Sequence, residues 1–317
     1  MSVDVVVIGA GMAGLACARR LADAGVSTVV LDKGRGIGGR MATRRVALAQ
    51  GEIRFDHGAQ YFSVRDAGFH AMLDALPGAT ADWQTGAERP QCVGLPGMSG
   101  LPRAIAAGLD VRQETEVTGL TRSATGWTIA VGDMTLEARH IVVTVPAPQI
   151  VPLLGPDDPL VTQIAGVAMA PCLTLMAAFP AGSPLPFVTR LSETEPLAWI
   201  AQDNSKPDRS DTAVAWVAQA SPDWSAQHIE ADKDAIAALM LPLLCHAIGA
   251  SEKDALYAAA HRWRYARVVV PLGQPFLRSA DDTLHLGGDW CLGPRVEAAW
   301  QSGDAIARDI LERRDVA

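Results

Sequence analysis

The chain has 317 residues, 49% hydrophobic and 20% charged, with a formal charge of −8. That length suits two domains sharing a core boundary rather than one small domain. No apolar run approaches the roughly 18 uncharged residues of a membrane span, and the net acidity argues against nucleic acid as a partner.

The first predicted element is a strand at Val3–Ile8, a β-branched apolar run of the kind buried on both faces of a sheet. It runs straight into Gly9-Ala10-Gly11-Met12-Ala13-Gly14 and then an Ala/Leu/Arg-rich helical pattern through Ala24. This is the dinucleotide-binding fingerprint. Gly9 permits the tight turn, Gly11 lets backbone approach a pyrophosphate, and Gly14 lets helix and strand pack closely. The helix N-terminus then offers N–H groups and a favourable dipole to phosphate. A second strand, Ser27–Leu31, delivers Asp32 to a ribose. Immediately after comes Gly34-Arg35-Gly36-Ile37-Gly38-Gly39-Arg40. An NAD site needs nothing there. FAD is longer, and such a run lets backbone pass beside the pyrophosphate and ribityl chain while arginine neutralises charge. The competing reading is a flexible loop with solvated arginines.

Further along, Asp66–Leu76 reads as helix and Trp83–Pro96 as loop or strand, with another helix starting near Ser99. Strands are predicted at Val111–Val117, Gly126–Val131 and His140–Val145, the last stopped by Pro146. The pattern changes after Ala147: proline-rich connectors alternate with strands such as Leu197–Gln202 and Thr212–Ala220, followed by helical Ser225–Ala250. The chain then returns through a strand at Leu284–Gly288 and an amphipathic helix at Pro294–Arg313. The five cysteines (Cys17, Cys92, Cys172, Cys245, Cys291) are scattered and lack CxxC spacing, so disulfide and metal readings are poor and a cytoplasmic location is expected. Met1-Ser2 leads directly into the first strand, which leaves no room for a signal peptide.

GAGMAGLACARRLADAG…LDKGRGIGGRMATRR resembles the flavin-containing amine oxidase superfamily. Asp56-His57-Gly58-Ala59-Gln60-Tyr61-Phe62, Asn204-Ser205-Lys206-Pro207, His261-Arg262-Trp263-Arg264-Tyr265-Ala266-Arg267 and Gly288-Asp289-Trp290-Cys291 are similar, in the same order, to renalases of the bacterial type. The resemblance implies an α/β protein, a Rossmann-like FAD-binding domain interleaved with a smaller α+β substrate domain. That is the p-hydroxybenzoate hydroxylase-like or amine oxidase-like two-domain arrangement. The expected division is 1–68, 97–146 and 277–317 for the FAD-binding domain, with 69–96 and 147–276 for the substrate domain.

It also implies a non-covalent FAD site. Gly9, Ala10, Gly11, Met12, Ala13 and Gly14 would hold the pyrophosphate. Asp32 would bond the ribose, and Lys33 and Val117 would also belong to the cofactor site. Gly39, Arg40 and Met41, with His57, Gly58, Ala59 and Gln60, would line the path to the flavin. At the C-terminal return, Asp289 after Gly288 would bond the ribityl or pyrophosphate region. The helix start at Arg295, Val296, Glu297 and Ala298 would aim N–H groups at the flavin N1 and C2 carbonyl, where a helix dipole favours negative charge. Two positions depart from the pattern: Asp32 stands where many relatives use Glu, and Gly293-Pro294-Arg295 replaces Ser-Gly-Arg.

The activity implied is oxidation of off-pathway dihydronicotinamide dinucleotides, 1,2- and 1,6-dihydro-NAD(P), with O₂ as acceptor and hydrogen peroxide as product. Such a substrate gains aromaticity on losing hydride, so positioning is the main requirement and no acid–base pair is needed. Gln60, Tyr61, Trp199, Trp216 and His261 are the candidates for the pocket. Each has a bland competitor: a strand tryptophan is commonly core, and His261 fits a structural role equally well. Arg262 and Arg264 share a strand face and either bind phosphate or are solvated. The alternatives are a true amine oxidase, for which Lys33, Lys206 and Lys253 offer no obviously placed lysine, and a flavin-binding regulatory protein without turnover.

Overall fold

The computed structural model describes residues 2–314. Strand β1 (Ser2–Ile8) lies between two parallel neighbours, β2 (Thr28–Leu31) and β10 (Met134–Val143). That placement is why Val5, Val6 and Val7 are all fully buried: a central parallel strand meets packed layers on both faces. Helix α1 (Met12–Asp23) crosses back over the sheet between β1 and β2. The chain then forms a hairpin, β3 (Thr43–Leu48) with β4 (Gly51–Asp56), and helix α2 (Ala67–Asp74), which Asp66 caps by accepting the Phe69 N–H. A second hairpin, β5 (Thr80–Trp83) with β6 (Gln91–Gly94), occupies the stretch expected to be loop or strand. Helix α3 (Gly100–Ala106) and strand β7 (Asp110–Arg112) follow.

The expected strand over Val111–Val117 breaks in two. β7 stops at Arg112 and β8 (Val117–Ser123) starts at Val117, because the Glu114 and Thr115 N–H groups turn aside to the carbonyls of Gly34 and Asp32. β8 and β9 (Gly126–Val131) form a hairpin that extends β10. The major sheet runs β16 (Phe276–Arg278), β17 (Leu284–Gly287), β10, β1, β2, β7, with β16 antiparallel at one edge. Short helices α4 (Val151–Leu154) and α5 (Pro159–Ile164) lead to the second sheet. The final helix, α8 (Val296–Arg314), packs on α1, where a Cβ at Gly303 would fall 1.9 Å from the Ala13 carbonyl oxygen.

The second sheet is antiparallel, ordered β12 (Thr189–Leu191), β13 (Leu197–Gln202), β14 (Ala213–Ala220), β11 (Ala168–Pro180), β15 (Tyr257–Val270). Alternation divides its residues between two faces. Leu173, Leu175, Trp216 and Ala218 face helix α7 (Lys233–Ile248), against Ile236, Met240 and Leu244. Met176, Ala178, Ala215 and Val217 face β4, against Ile53 and Phe55. The helical stretch expected over Ser225–Ala250 is two helices, α6 (Pro222–His228) and α7, since Asp232 starts a new helix by accepting the Asp234 N–H. No described helix is long and apolar enough to cross a membrane.

Candidate flavin site

Because β1, β2, β10 and β17 are parallel, their C-terminal ends emerge along one sheet edge, the general location of ligand crevices in open α/β sheets. Gly9, Asp32, Thr144 and Gly288 follow those four strands. Gly9 has φ +109°, and a Cβ on Gly14 would sit 1.9 Å from the Gly9 carbonyl oxygen. Ala10, Met12 and Ala13 are buried in the helix–sheet layer and offer backbone only. Gly11, by contrast, has nothing within 4 Å of its Cβ direction. The two glycine runs close on each other: the Gly38 N–H donates to the Ala10 carbonyl (2.9 Å), and a Gly39 Cβ would lie 3.6 Å from Gly11 Cα. Met41 is buried in the core beneath.

Asp32 accepts the N–H groups of Ala10 and Gly34, both at 2.6 Å, one on each oxygen. Its first work is thus to tie the two loops, with the remaining lone pairs available to a ribose. Lys33 is exposed and 3.9 Å from Glu116, while Val117 is buried among the strands behind. Arg40 does not stand free: its guanidinium makes a two-point pair with Asp289, at 2.7 and 2.6 Å. Gly288 is held by its N–H to Ser302 Oγ (2.9 Å).

The Asp56–Gln60 turn is fixed from several sides. The Ala59 N–H donates to the Arg40 carbonyl (2.8 Å), Trp263 Nε1 to the His57 carbonyl (2.7 Å), and Gln219 Nε2 to the Gly58 carbonyl (2.7 Å). Gly58 has no room for a side chain, since a Cβ would lie 2.0 Å from the Arg40 carbonyl oxygen. His57, His261 and Trp263 form a ring cluster with centroids 4.3–5.4 Å apart. Burial lowers the His57 pKa to about 4, with the Arg44 charge adding, and lowers His261 to about 3, with His57 adding. Both rings are therefore neutral near pH 7, and His57 Nδ1 is buried without a partner.

Of the expected pocket residues, Tyr61 and Trp199 come together, ring centroids 5.9 Å apart, and His261 joins the cluster beside the turn. Trp216 does not. It is fully buried on the helix-facing side of the second sheet, edge-on to Phe187, because its even position on β14 points away from β4. The Glu297 side chain has a task of its own. Its carboxylate is buried and accepts the N–H groups of Arg65 and Asp66 (2.6 and 2.7 Å), so it anchors the start of α2. Arg295 is exposed, Val296 half-buried and Ala298 fully buried at the first turn of α8. Arg262 and Arg264 lie on the helix-facing side, bonded to the Ala231 carbonyl and the Glu230 carboxylate between α6 and α7.

Sequence reasoning missed Gln219, Thr144, Ser302 and a buried charge cluster of Asp56, Asp203, Lys206 and Arg209. Thr144 directly follows an apolar strand aimed at this edge, a signal that could have singled it out; Asp56 and Lys206 lie in stretches already singled out, but their pairing carries no local signature.

The residues along the edge fit an extended dinucleotide. Bare backbone lines it at Gly11, Gly36 and Gly293, where a Cβ would meet nothing, and a helix N-terminus opens onto it at Gly11. The pattern that describes flavin containing amine oxidoreductases matches residues 79–311, well over half of the chain. The chain belongs to that family. The NAD(P)-binding Rossmann-like domain pattern matches residues 7–76, which hold both glycine runs and the Asp56–Gln60 turn. This oxidoreductase is similar in fold to cyclohexylamine oxidase from Brevibacterium oxydans, at 16% identity and TM-score 0.77 over 99% of each chain. A putative protoporphyrinogen oxidase from an Exiguobacterium species aligns at 12% identity and TM-score 0.78, over 98% of this chain and 99% of the other. Putrescine oxidase aligns at 14% identity and TM-score 0.65, over 99% of this chain and 100% of the other. The protein is a two-domain α/β flavoprotein of the amine oxidase fold, with FAD as cofactor.

Proposed function

We infer that this oxidoreductase consumes off-pathway dihydronicotinamide dinucleotides, 1,2-dihydro-NAD(P) and with it the 1,6-isomer: dihydro-NAD(P) + O₂ + H⁺ gives NAD(P)⁺ + H₂O₂. FAD, when bound, supplies the hydride acceptor and the route of two electrons to O₂. The observation that carries this reading is the uncharged aromatic wall beside the Asp56–Gln60 turn. Trp263 stacks on His57, His261 meets both rings at steeper angles, and burial holds both imidazoles neutral. An uncharged aromatic surface of this kind suits a dihydropyridine ring. It offers no strong base, and none is required when the donor ring aromatises on losing hydride. Tyr61 and, from the facing domain, Trp199 supply a second aromatic surface. The backbone edge from Gly9 to Gly39 and the Arg40–Asp289 pair hold and orient the cofactor. Of the chain's four lysines, Lys33, Lys233 and Lys253 are exposed, and Lys206 is wholly occupied by carboxylates and an amide.

The domain division at 1–68, 97–146 and 277–317 against 69–96 and 147–276 is part of this reading. It is supported by the major sheet, whose strands fall in the first set but for Phe276. A cytoplasmic location is also part of it, supported by five free cysteines. A second reading, oxidation of a small amine, draws on the family and on the names of the amine oxidases of like fold. Anaerobic mixing with each isomer, with ordinary NAD(P)H and with monoamines tests the two. Bleaching of the visible flavin band at least about 100-fold faster by the 1,2-isomer than by ordinary NAD(P)H is expected, the cost of misplacing the reacting carbon by about 1 Å. Rapid bleaching by an amine, with every dihydronicotinamide inert, would overturn the proposal.

A further inference from the structure

Lys206 is fully buried, and its ammonium faces three oxygens: Asp203 Oδ1 at 2.6 Å, Asp56 Oδ2 at 3.0 Å and Gln60 Oε1 at 3.3 Å. Three protons meet three acceptors, so the donor capacity of the group is used up. An ammonium only donates, which settles the orientation of the Gln60 amide: Oε1 must face Lys206, and Nε2 must face the other way. On that other side Nε2 donates to the carbonyls of Asp56 and Gly58, the two ends of the glycine turn. Asp56 is itself a junction. One oxygen accepts from Thr43 Oγ1 (2.6 Å) and the Met98 N–H (2.9 Å), the other from Lys206 and Arg209.

We propose that Lys206 is a positioning residue for the flavin-facing turn, acting through the Gln60 amide that it orients. Without the cation the amide is free to rotate. The rotated amide would set its oxygen against the Asp56 and Gly58 carbonyls, and the repulsion would release the turn. The charge is supplied by the second domain, from the Asp203–Arg209 connection between β13 and β14, so docking of that connection and shaping of the turn are one event. The inference rests on the reading that the His57–Gln60 turn borders FAD, and it is independent of the substrate.

The test compares Gln60→Met, Lys206→Met and the double variant, each purified with FAD. The readouts are the FAD dissociation constant, the visible circular dichroism of bound flavin, and hydrogen exchange at the Ala59 amide in the apoprotein. Gln60→Met leaves the ion cluster intact, so it decides the matter even if Lys206→Met does not fold. Expected is a loss of FAD affinity of about tenfold or more in either single variant, as for a lost hydrogen bond to a charged or backbone-fixing group. The flavin dichroism should change and Ala59 exchange should quicken in both. The double variant should add little to the worse single, since both act on one linkage. Unchanged dichroism and Ala59 exchange in Gln60→Met, or full additivity in the double variant, overturns the proposal while leaving FAD binding itself in place. Failure of the parent protein to hold FAD at all overturns the turn's assignment and this proposal with it.

Discussion

Arg40 and Asp289 stand 249 positions apart and meet in a two-point ion pair, Nη1 to Oδ2 at 2.7 Å and Nη2 to Oδ1 at 2.6 Å. The pair closes the loop after β2 onto the turn after β17, so two segments expected to contact the cofactor separately act as one clamp. A planar fork is needed for this geometry, and lysine does not provide it. Asp289→Ala leaves a half-buried guanidinium without its main partner and should cost about 1–3 kcal/mol in urea unfolding. Arg40→Lys should lose part of that stability and part of the FAD affinity, as followed by flavin fluorescence on dilution.

Glycine substitutions separate folding from cofactor binding. Gly11→Ala meets no protein atom and has ordinary extended backbone, φ −79°, so unfolding free energy should fall by no more than about 1 kcal/mol, the scale of a cap change. FAD affinity should fall sharply, because the methyl group projects into the cradle. Gly14→Ala and Gly303→Ala each force a Cβ to 1.9 Å from a backbone oxygen and should destabilise the apoprotein by at least about 1–3 kcal/mol. Calorimetry of the apoproteins distinguishes the two classes.

Trp216→Ala should behave as a core truncation, costing about 3–5 kcal/mol. Trp199→Ala should leave stability nearer the parent value and raise KM for the reducing substrate, since Trp199 is half-buried against Tyr61. If Trp216→Phe, well folded, changed KM while Trp199→Phe did not, the sidedness argued for the second sheet would be wrong.

Acid should destabilise the fold well above the carboxylate range. Burial lowers His57 and His285 to about 4 and His261 to about 3, below the ordinary value of 6.5. The unfolded chain therefore takes up protons that the folded chain refuses between pH 6.5 and 4. Stability is greatest above that window and falls as pH drops through it, by about 1.4 kcal/mol per pH unit for each fully affected histidine. Urea midpoints at pH 7 and pH 5 test the sign. His285→Phe should flatten the dependence if the substitution is accommodated beside Phe276.

The cofactor should leave the polypeptide intact on heat or acid treatment. Cys291, next to the Gly288-Asp289 turn, is wholly buried, and burial pushes its thiol up to about 12, so no thiolate is available there for attachment. Yellow colour that stays with the denatured chain would show the opposite.

Residues 3–40 were legible because their signals are local. The β-branched run, glycines at fixed offsets and an acid at a strand end each act on neighbours within a turn or one crossover. The same holds for Gly126–Val131 and Leu197–Gln202, which form strands with the bounds read from the sequence. The separation of Val111–Val117 into two strands was not legible, because the hydrogen bonds responsible run to Asp32 and Gly34.

By itself the sequence determined the dinucleotide cradle with its flanking strands and helix and membership of a flavin-binding class, but not the Thr43–Asp56 hairpin or the long strands Ala168–Pro180 and Tyr257–Val270. Only the tertiary structure decided which side chains serve the site. Trp199 faces the first domain and Trp216 faces away, an outcome of sheet register, and a one-residue slip would exchange them. Glu297 is drawn to the start of α2, Arg40 to Asp289, and Lys206 into a dry cluster with Asp56 and Asp203. A buried charge takes whichever partner the fold brings within about 3 Å, because leaving it unpaired costs several kcal/mol. Apart from Asp203, three residues from Lys206, those partners lie 231, 249 and 150 residues away, at distances in sequence where no local pattern survives.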